Sequence, residues 1–120
     1  RLDVVEAEAE ALACAKINAD DPRARFHWAD ATSFRPENLA ETVVMNPPFH
    51  TGRAAEPALG AAFIAAAKAM MAPDGVLWLV ANRHLPYDAP LAEAFLEVET
   101  VGGDSAFRVI RAAKPRRTRR

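Results

Sequence analysis

The amino-acid sequence predicts an α/β fold built on a mostly parallel sheet that finishes in an antiparallel hairpin. Three observations carry this expectation. Short β-branched and apolar runs alternate with alanine-rich helical stretches through most of the chain, the order that α/β proteins show. Val76-Leu77-Trp78-Leu79-Val80-Ala81 is a continuous apolar run, as expected for a strand covered on both faces. Near the end, two strand-like runs flank Gly102-Gly103-Asp104-Ser105, which reads as a hairpin turn.

Taken in order, Leu2 to Val5 reads as a buried strand ending at Glu6. Glu8 to Asn18 reads as a helix with Leu12, Ala15 and Ile17 as its apolar positions, and Asp20-Asp21-Pro22 stops it. Arg25 to Trp28 is a short strand leading to Asp30 and a polar loop through Pro36. Thr42 to Met45 is the next strand, running into Asn46-Pro47-Pro48-Phe49, and Thr51-Gly52 is loop. Pro57 suits a first helical turn, where its missing N–H would be unpaired anyway. From there to Met71, Leu59, Phe63, Ala66 and Met70 repeat as a core-facing stripe. A short helix spans Ala89 to Leu96, and Val98 to Val101 pairs with Phe107 to Ile110.

A chain of 120 residues, 51% hydrophobic and 26% charged, suits one soluble domain with a real core. No stretch is long and apolar enough to span a bilayer, and the opening Arg1-Leu2-Asp3-Val4-Val5-Glu6 has no signal-peptide pattern. The single cysteine, Cys14, lies in Ala-Leu-Ala-Cys-Ala and is expected to be a small core thiol. A reducing cytoplasm follows as the expected compartment. Cys, His and carboxylates nowhere show metal-ligand spacing, so no metal is expected. The net charge is −1, yet Lys114, Arg116, Arg117, Arg119 and Arg120 crowd the end. Residues 1–113 are therefore expected to form the domain and 114–120 a basic, disordered tail, either solubilising or touching RNA phosphates.

Open α/β sheets hold ligands beyond the carboxyl ends of their strands. Three strand ends carry polar residues there: Glu6, Asp30 and Asn46. Asn46-Pro47-Pro48-Phe49 is the sharpest signal. A residue before proline is driven into extended conformations, and two prolines leave stiff carbonyls with no N–H of their own. An Asn oxygen beside a proline carbonyl is a pair of acceptors suited to an –NH₂ group. Holding both hydrogens of a conjugated amine favours its pyramidal form and raises electron density on nitrogen. Phe49 adds a face on which a base can stack. The plainer reading is a proline-rich turn with a core phenylalanine.

Asn46-Pro47-Pro48-Phe49 resembles the signature of class I S-adenosylmethionine-dependent methyltransferases that modify amino groups. The longer strings Val44-Met45-Asn46-Pro47-Pro48-Phe49-His50-Thr51-Gly52 and Val80-Ala81-Asn82-Arg83-His84-Leu85-Pro86-Tyr87 resemble the bacterial ribosomal-RNA guanine-N2 methyltransferases, especially those of the small subunit. The resemblance implies a Rossmann-like fold and S-adenosylmethionine as cofactor. It also implies that the target is a guanine N2 amine in 16S rRNA, on naked RNA or the small ribosomal subunit; the intact protein is expected to be a monomer. By position, Glu6 matches the acid that binds ribose hydroxyls, and Asp30 with the Ala31 backbone matches the adenine site. Asn46 and Pro47 match the amine-gripping pair, with Asn46 also beside the cofactor, and Phe49 matches the stacking ring. Pro48, His50, Arg53 and Arg83 border the expected substrate side. His50 either meets the base or phosphate or anchors its loop; Arg53 and Arg83 either steer RNA backbone or are solvated surface.

The family's first strand and its glycine-rich loop have no counterpart from Arg1 onward. That strand lies between the Leu2 and Thr42 strands in the family, so a break at the sheet centre is expected. Residues 1–120 alone are expected to bind cofactor weakly and to be inactive. The rival expectations are methylation of a protein glutamine amide or of adenine N6, and a non-catalytic RNA-binding module of the same fold.

Overall fold

In a computed structural model of the chain, the described residues are 1–47, 50–51, 54–55 and 57–116, with backbone alone described for 50, 51, 54, 55 and 57. β1 (Leu2–Glu6) and β2 (Ala24–Trp28) pair in parallel, with Leu2 opposite Ala24 and Glu6 opposite Trp28. Parallel neighbours need a crossover, and α1 (Ala9–Asn18) supplies it. Leu12 is the buried residue of α1. Cys14 follows two residues later, about 200° round the helix at 3.6 residues per turn. It is exposed, which overturns the expected core thiol. Ile17, 78% exposed, also lies off the buried face.

The second ladder has the order β3-β6-β8-β7. β3 (Ala40–Met45) runs parallel to β6 (Met71–Asn82), and Met45 stands opposite Leu79. β8 (Phe107–Pro115) lies antiparallel to both β6 and β7 (Phe95–Gly103), so the final hairpin inserts its second strand beside β6. Gly103 adopts φ of 134° where the hairpin turns, a conformation that disfavours any residue with a Cβ. Asp104 Oδ1 then accepts from the amides of Ala106 and Phe107, each at 2.8 Å. Two very short strands, β4 (His50–Thr51) and β5 (Ala54–Ala55), pair with each other where the sequence predicts loop at Thr51.

The expected break at the sheet centre is present. No ladder joins β1-β2 to β3-β6-β8-β7, and among the described residues no hydrogen bond links residues 1–37 to residues 40–116.

α2 (Pro57–Met70) and α3 (Asp88–Ala94) cover one face of the larger ladder. Ile64, Ala67, Leu91 and Ala94 pack there against Leu77, Leu79, Ile110 and Ala112, joined by Val43 and Met45. The buried line of α2 runs through Gly60, Ile64 and Ala67 toward Met71, the first residue of β6, with Ala66 beside it. The predicted stripe at Leu59, Phe63, Ala66 and Met70 is therefore offset by one residue; Leu59, Phe63 and Met70 are only half-buried. On the sheet's other face Val44 is 74% and Trp78 36% exposed. The expectation that Val76 to Ala81 is covered on both faces thus fails. The run alternates, because α2 and α3 share one side and α1 packs on β1 and β2.

The domain boundary expected after residue 113 also moves. Lys114 and Pro115 belong to β8, Lys114 Nζ reaches Glu97 at 2.8 Å, and the Arg116 amide donates to Ala94 O. Residues 117–120 of the expected tail lie outside the described residues.

Candidate functional site

β1 and β2 end side by side, so their carboxyl ends present Glu6 and the segment from Ala29 onward together. The Ala29 amide donates to Glu6 O at 3.1 Å, carrying the parallel pattern one step past the strand. Glu6 is half-buried, and its Oε1 accepts the Glu8 amide at 3.2 Å. That bond satisfies an amide at the start of α1, as acidic groups at helix starts do. Among the described residues Oε2 of Glu6 has no partner.

Asp30 opens the next turn. Its Oδ1 accepts from the Thr32 amide at 2.9 Å and the Thr32 hydroxyl at 2.7 Å, while its carbonyl takes the Ser33 and Phe34 amides. The Thr32 hydroxyl and then its amide hold the Asp30 carboxyl below the usual range. Asp30 is therefore an ionised, exposed acceptor whose Oδ2 is uncommitted among the described residues. Ala31 follows, half-buried. The loop behind it is anchored by His27, which meets Asp3 at 2.8 Å and packs against Phe34 with ring centroids 4.7 Å apart and planes tilted by 47°.

The second group of candidates stands at the carboxyl end of β3. Asn46 is exposed immediately after the strand and Pro47 is buried. Burying proline there wastes no donor, since it has no N–H to satisfy. Pro48, Phe49 and Arg53 lie outside the described residues, and for His50 only the backbone in β4 is described. Arg83 is exposed, but its guanidinium is partly committed. Nε donates to Asp104 O at 2.7 Å and Nη2 to Phe107 O at 3.4 Å.

The structure thus groups Glu6, Asp30 and Ala31 at one pair of strand ends. It places Asn46 and Pro47 at the carboxyl edge from which the Arg83 turn also leaves, β6 running three residues past the level of Met45 to Asn82. Among the described residues no hydrogen bond joins the two groups. Sequence reasoning passed over three contributors. Thr32 completes the Asp30 turn, and its signal was the Asp-x-Thr spacing. Trp28, 71% exposed, donates its indole N–H to Ala7 O at 2.8 Å beside Glu6. Arg108, a charge on the face of β8 that also carries the buried Ile110 and Ala112, is buried.

Comparison with known proteins supplies a frame for this geometry. The family model described as methyltransferase small domain matches residues 1–111. The ribosomal RNA large subunit methyltransferase G of Streptomyces coelicolor is 35% identical over 109 residues, covering 91% of this chain and 29% of that protein. The ribosomal RNA small subunit methyltransferase C of Alcanivorax borkumensis is 46% identical over 76 residues, covering 63% of this chain and 23% of that protein. A 16S rRNA N2 methyltransferase (RsmC) from T. Thermophilus, solved in complex with AdoMet and guanosine, matches with a TM-score of 0.76 and 27% identity. That match covers 93% of this chain and 31% of the other, so it runs across both ladders. The chain spans less than a third of the length of each of these three proteins.

Proposed function

The chain belongs to the methyltransferase small domain family, and from that premise we propose that the intact protein methylates the exocyclic N2 amine of a guanine in ribosomal RNA, with S-adenosylmethionine as cofactor. Within that reading the target is small-subunit rRNA, the protein works in the cytoplasm, and the active form is a monomer. The observation that carries the proposal is Asn46, exposed at the carboxyl end of β3 and followed by a buried proline. This is where a parallel sheet presents ligands.

The residues present fit the cofactor. Its ribose hydroxyls and adenine amine are donors, and Glu6 Oε2 and Asp30 Oδ2 are carboxylate oxygens uncommitted among the described residues at adjacent strand ends. When bound, S-adenosylmethionine supplies an electrophilic methyl group. The protein's own part is to hold the acceptor amine. The Asn46 side-chain oxygen and the Pro47 carbonyl accept the two amine hydrogens, Phe49 stacks on the base, and Pro48 and His50 border it. Two fixed acceptors localise the lone pair on nitrogen, and alignment lowers the entropic barrier. The surplus proton leaves to water, and no covalent enzyme intermediate forms. A base inside a folded RNA must first be turned out of its stack, and positive groups such as Arg53 and Arg83 suit the flanking phosphates.

The small-subunit target rests on the T. Thermophilus N2 methyltransferase, solved with guanosine, and on the 46% identical A. borkumensis relative. A large-subunit target is the second reading, because the S. coelicolor relative aligns over more of the chain.

The experiment is nucleoside mass spectrometry of small- and large-subunit rRNA after incubation with intact-length protein and labelled cofactor. Label is expected in N2-methylguanosine of small-subunit rRNA, and Asn46→Ala is expected to lower transfer at least about a hundredfold. Label in the large-subunit RNA selects the second reading. Label in N6-methyladenosine, in protein glutamine, or in nothing at all overturns the assignment, as does near-normal transfer by Asn46→Ala.

A further inference from the structure

Arg108 is the one charged side chain that the fold buries among the described residues. It lies opposite Ala81 in the β6–β8 ladder, one residue short of the carboxyl end of β6. Its Nη1 and Nη2 donate to the two carboxylate oxygens of Asp88 at 2.9 and 3.0 Å, and Nη2 also donates to Leu85 O at 3.2 Å. The guanidinium thus grips the chain at both Leu85 and Asp88. Between these points Tyr87 is buried, and its ring packs on Gly60, where an added Cβ would run into Tyr87 Cε1. Gly60 is in the first turns of α2, the helix into which the Asn46 loop leads. The turn from residue 83 to residue 87 is therefore fixed from the sheet below and from the helix beside it.

Placement gives this clamp a consequence. β3 and β6 are parallel with Met45 opposite Leu79, so Asn46 and Pro47 leave β3 at the carboxyl edge and β6 runs three residues further, to Asn82, before its turn leaves at that same edge. Burying a guanidinium against a carboxylate that remains 75% exposed costs desolvation and returns little net stability. What a two-pronged guanidinium supplies instead is geometry, because a planar fork fixes direction as well as distance.

Resting on the methyl-transfer reading, we propose that Arg108 and Asp88 are positioning residues. They hold the 83–87 turn as a rigid wall of the acceptor site and so align the target amine against Asn46 and Pro47, without touching the substrate themselves.

The test uses the intact-length protein with rRNA substrate and the variants Asp88→Asn, Asp88→Glu and Arg108→Lys. Asp88 is mostly exposed, and Asp88→Glu keeps a carboxylate for the buried Arg108, so that variant folds even where Arg108→Lys does not; a thermal melt checks each variant before kcat is compared. Asp88→Asn is expected to lower kcat at saturating RNA about tenfold or more, since small misplacements of reacting groups cost that much. Cofactor affinity is expected to stay within about twofold, and Asp88→Glu, which keeps a carboxylate for the fork, is expected to recover most of kcat. Wild-type kcat in Asp88→Asn overturns the proposal. So does an equal loss of cofactor affinity and kcat, which marks a general structural role. A wild-type protein inactive on guanine fails at the earlier assignment, a distinct outcome.

Discussion

The two ladders are unequally built. Residues 1–39 form β1, β2 and α1 around a single buried apolar side chain, Leu12. The four-stranded ladder and its two helices bury a continuous cluster from Ile64 to Ala112. Both carry candidate site residues, but on supports of different stiffness. Glu6 and Asp30 are shaped by local bonds to Glu8 and Thr32, whereas Asn46 extends from a strand whose Val43 and Met45 dock on the main core. The difference teaches that the Asn46-Pro47 corner is held by the core behind β3, whereas the carboxylates are held by turns. Buried apolar contact is what separates strongly from weakly protected regions of a fold.

Substitution breaks this contrast most sharply in the larger ladder. Leu79 is fully buried, and Leu79→Ala is expected to cost about 2–5 kcal/mol in denaturant unfolding. Next comes Gly60→Ala. A methyl there meets the buried Tyr87 ring, and overpacking of this kind is expected to cost about 1–3 kcal/mol in the same measurement.

Acid acts on both ladders. The Arg108 hydrogen bonds hold the Asp88 carboxyl below its usual range. Burial pushes the Asp3 carboxyl up, but its hydrogen bonds to His27 and Arg1 outweigh that and leave it lowered. A carboxyl lowered by folding binds fewer protons in the native state than in the unfolded chain. Its stabilisation is complete above about pH 4 and is lost as pH falls further, through the folded value. Thermal melts from pH 6 to pH 2 are expected to show this decline, and Asp88→Asn is expected to flatten it. A decline unchanged by that substitution would place the acid sensitivity elsewhere. The smallest effects belong to the exposed side of α1. Ile17→Ser is expected to shift stability by less than about 0.5 kcal/mol, and Cys14 is expected to react with a thiol reagent in the folded protein.

Local pattern carried the element order well because each strand or helix announces itself by its own neighbours. Leu2 to Glu6, Ala24 to Trp28 and Pro57 to Met70 fall within a residue or so of expectation. Facing was harder. In α1 alanines surround both Leu12 and Cys14, so composition does not tell the buried side from the exposed one. In α2 small residues fill every side, and the true line through Gly60 and Ile64 is selected by Tyr87 and the sheet, which no local window contains. No local pattern marks Arg108, because its partner Asp88 lies 20 residues earlier, across a hairpin and a helix.

From the residues alone came the alternation of strands and helices, the acidic and amide-bearing strand ends, and a stiff Asn46-Pro47 corner. These are properties of nearest neighbours in the chain, set by backbone sterics and side-chain chemistry. Tertiary structure decided which face of each element is buried, that Val44 stands open and Trp78 stands open where cover was expected, and that β8 lies inside the ladder with Lys114 and Pro115 in it. It also decided that Arg108 grips Leu85 and Asp88 beside the Asn46 edge. Such outcomes depend on which surfaces distant segments bring together, and burial is a property of that meeting rather than of either segment.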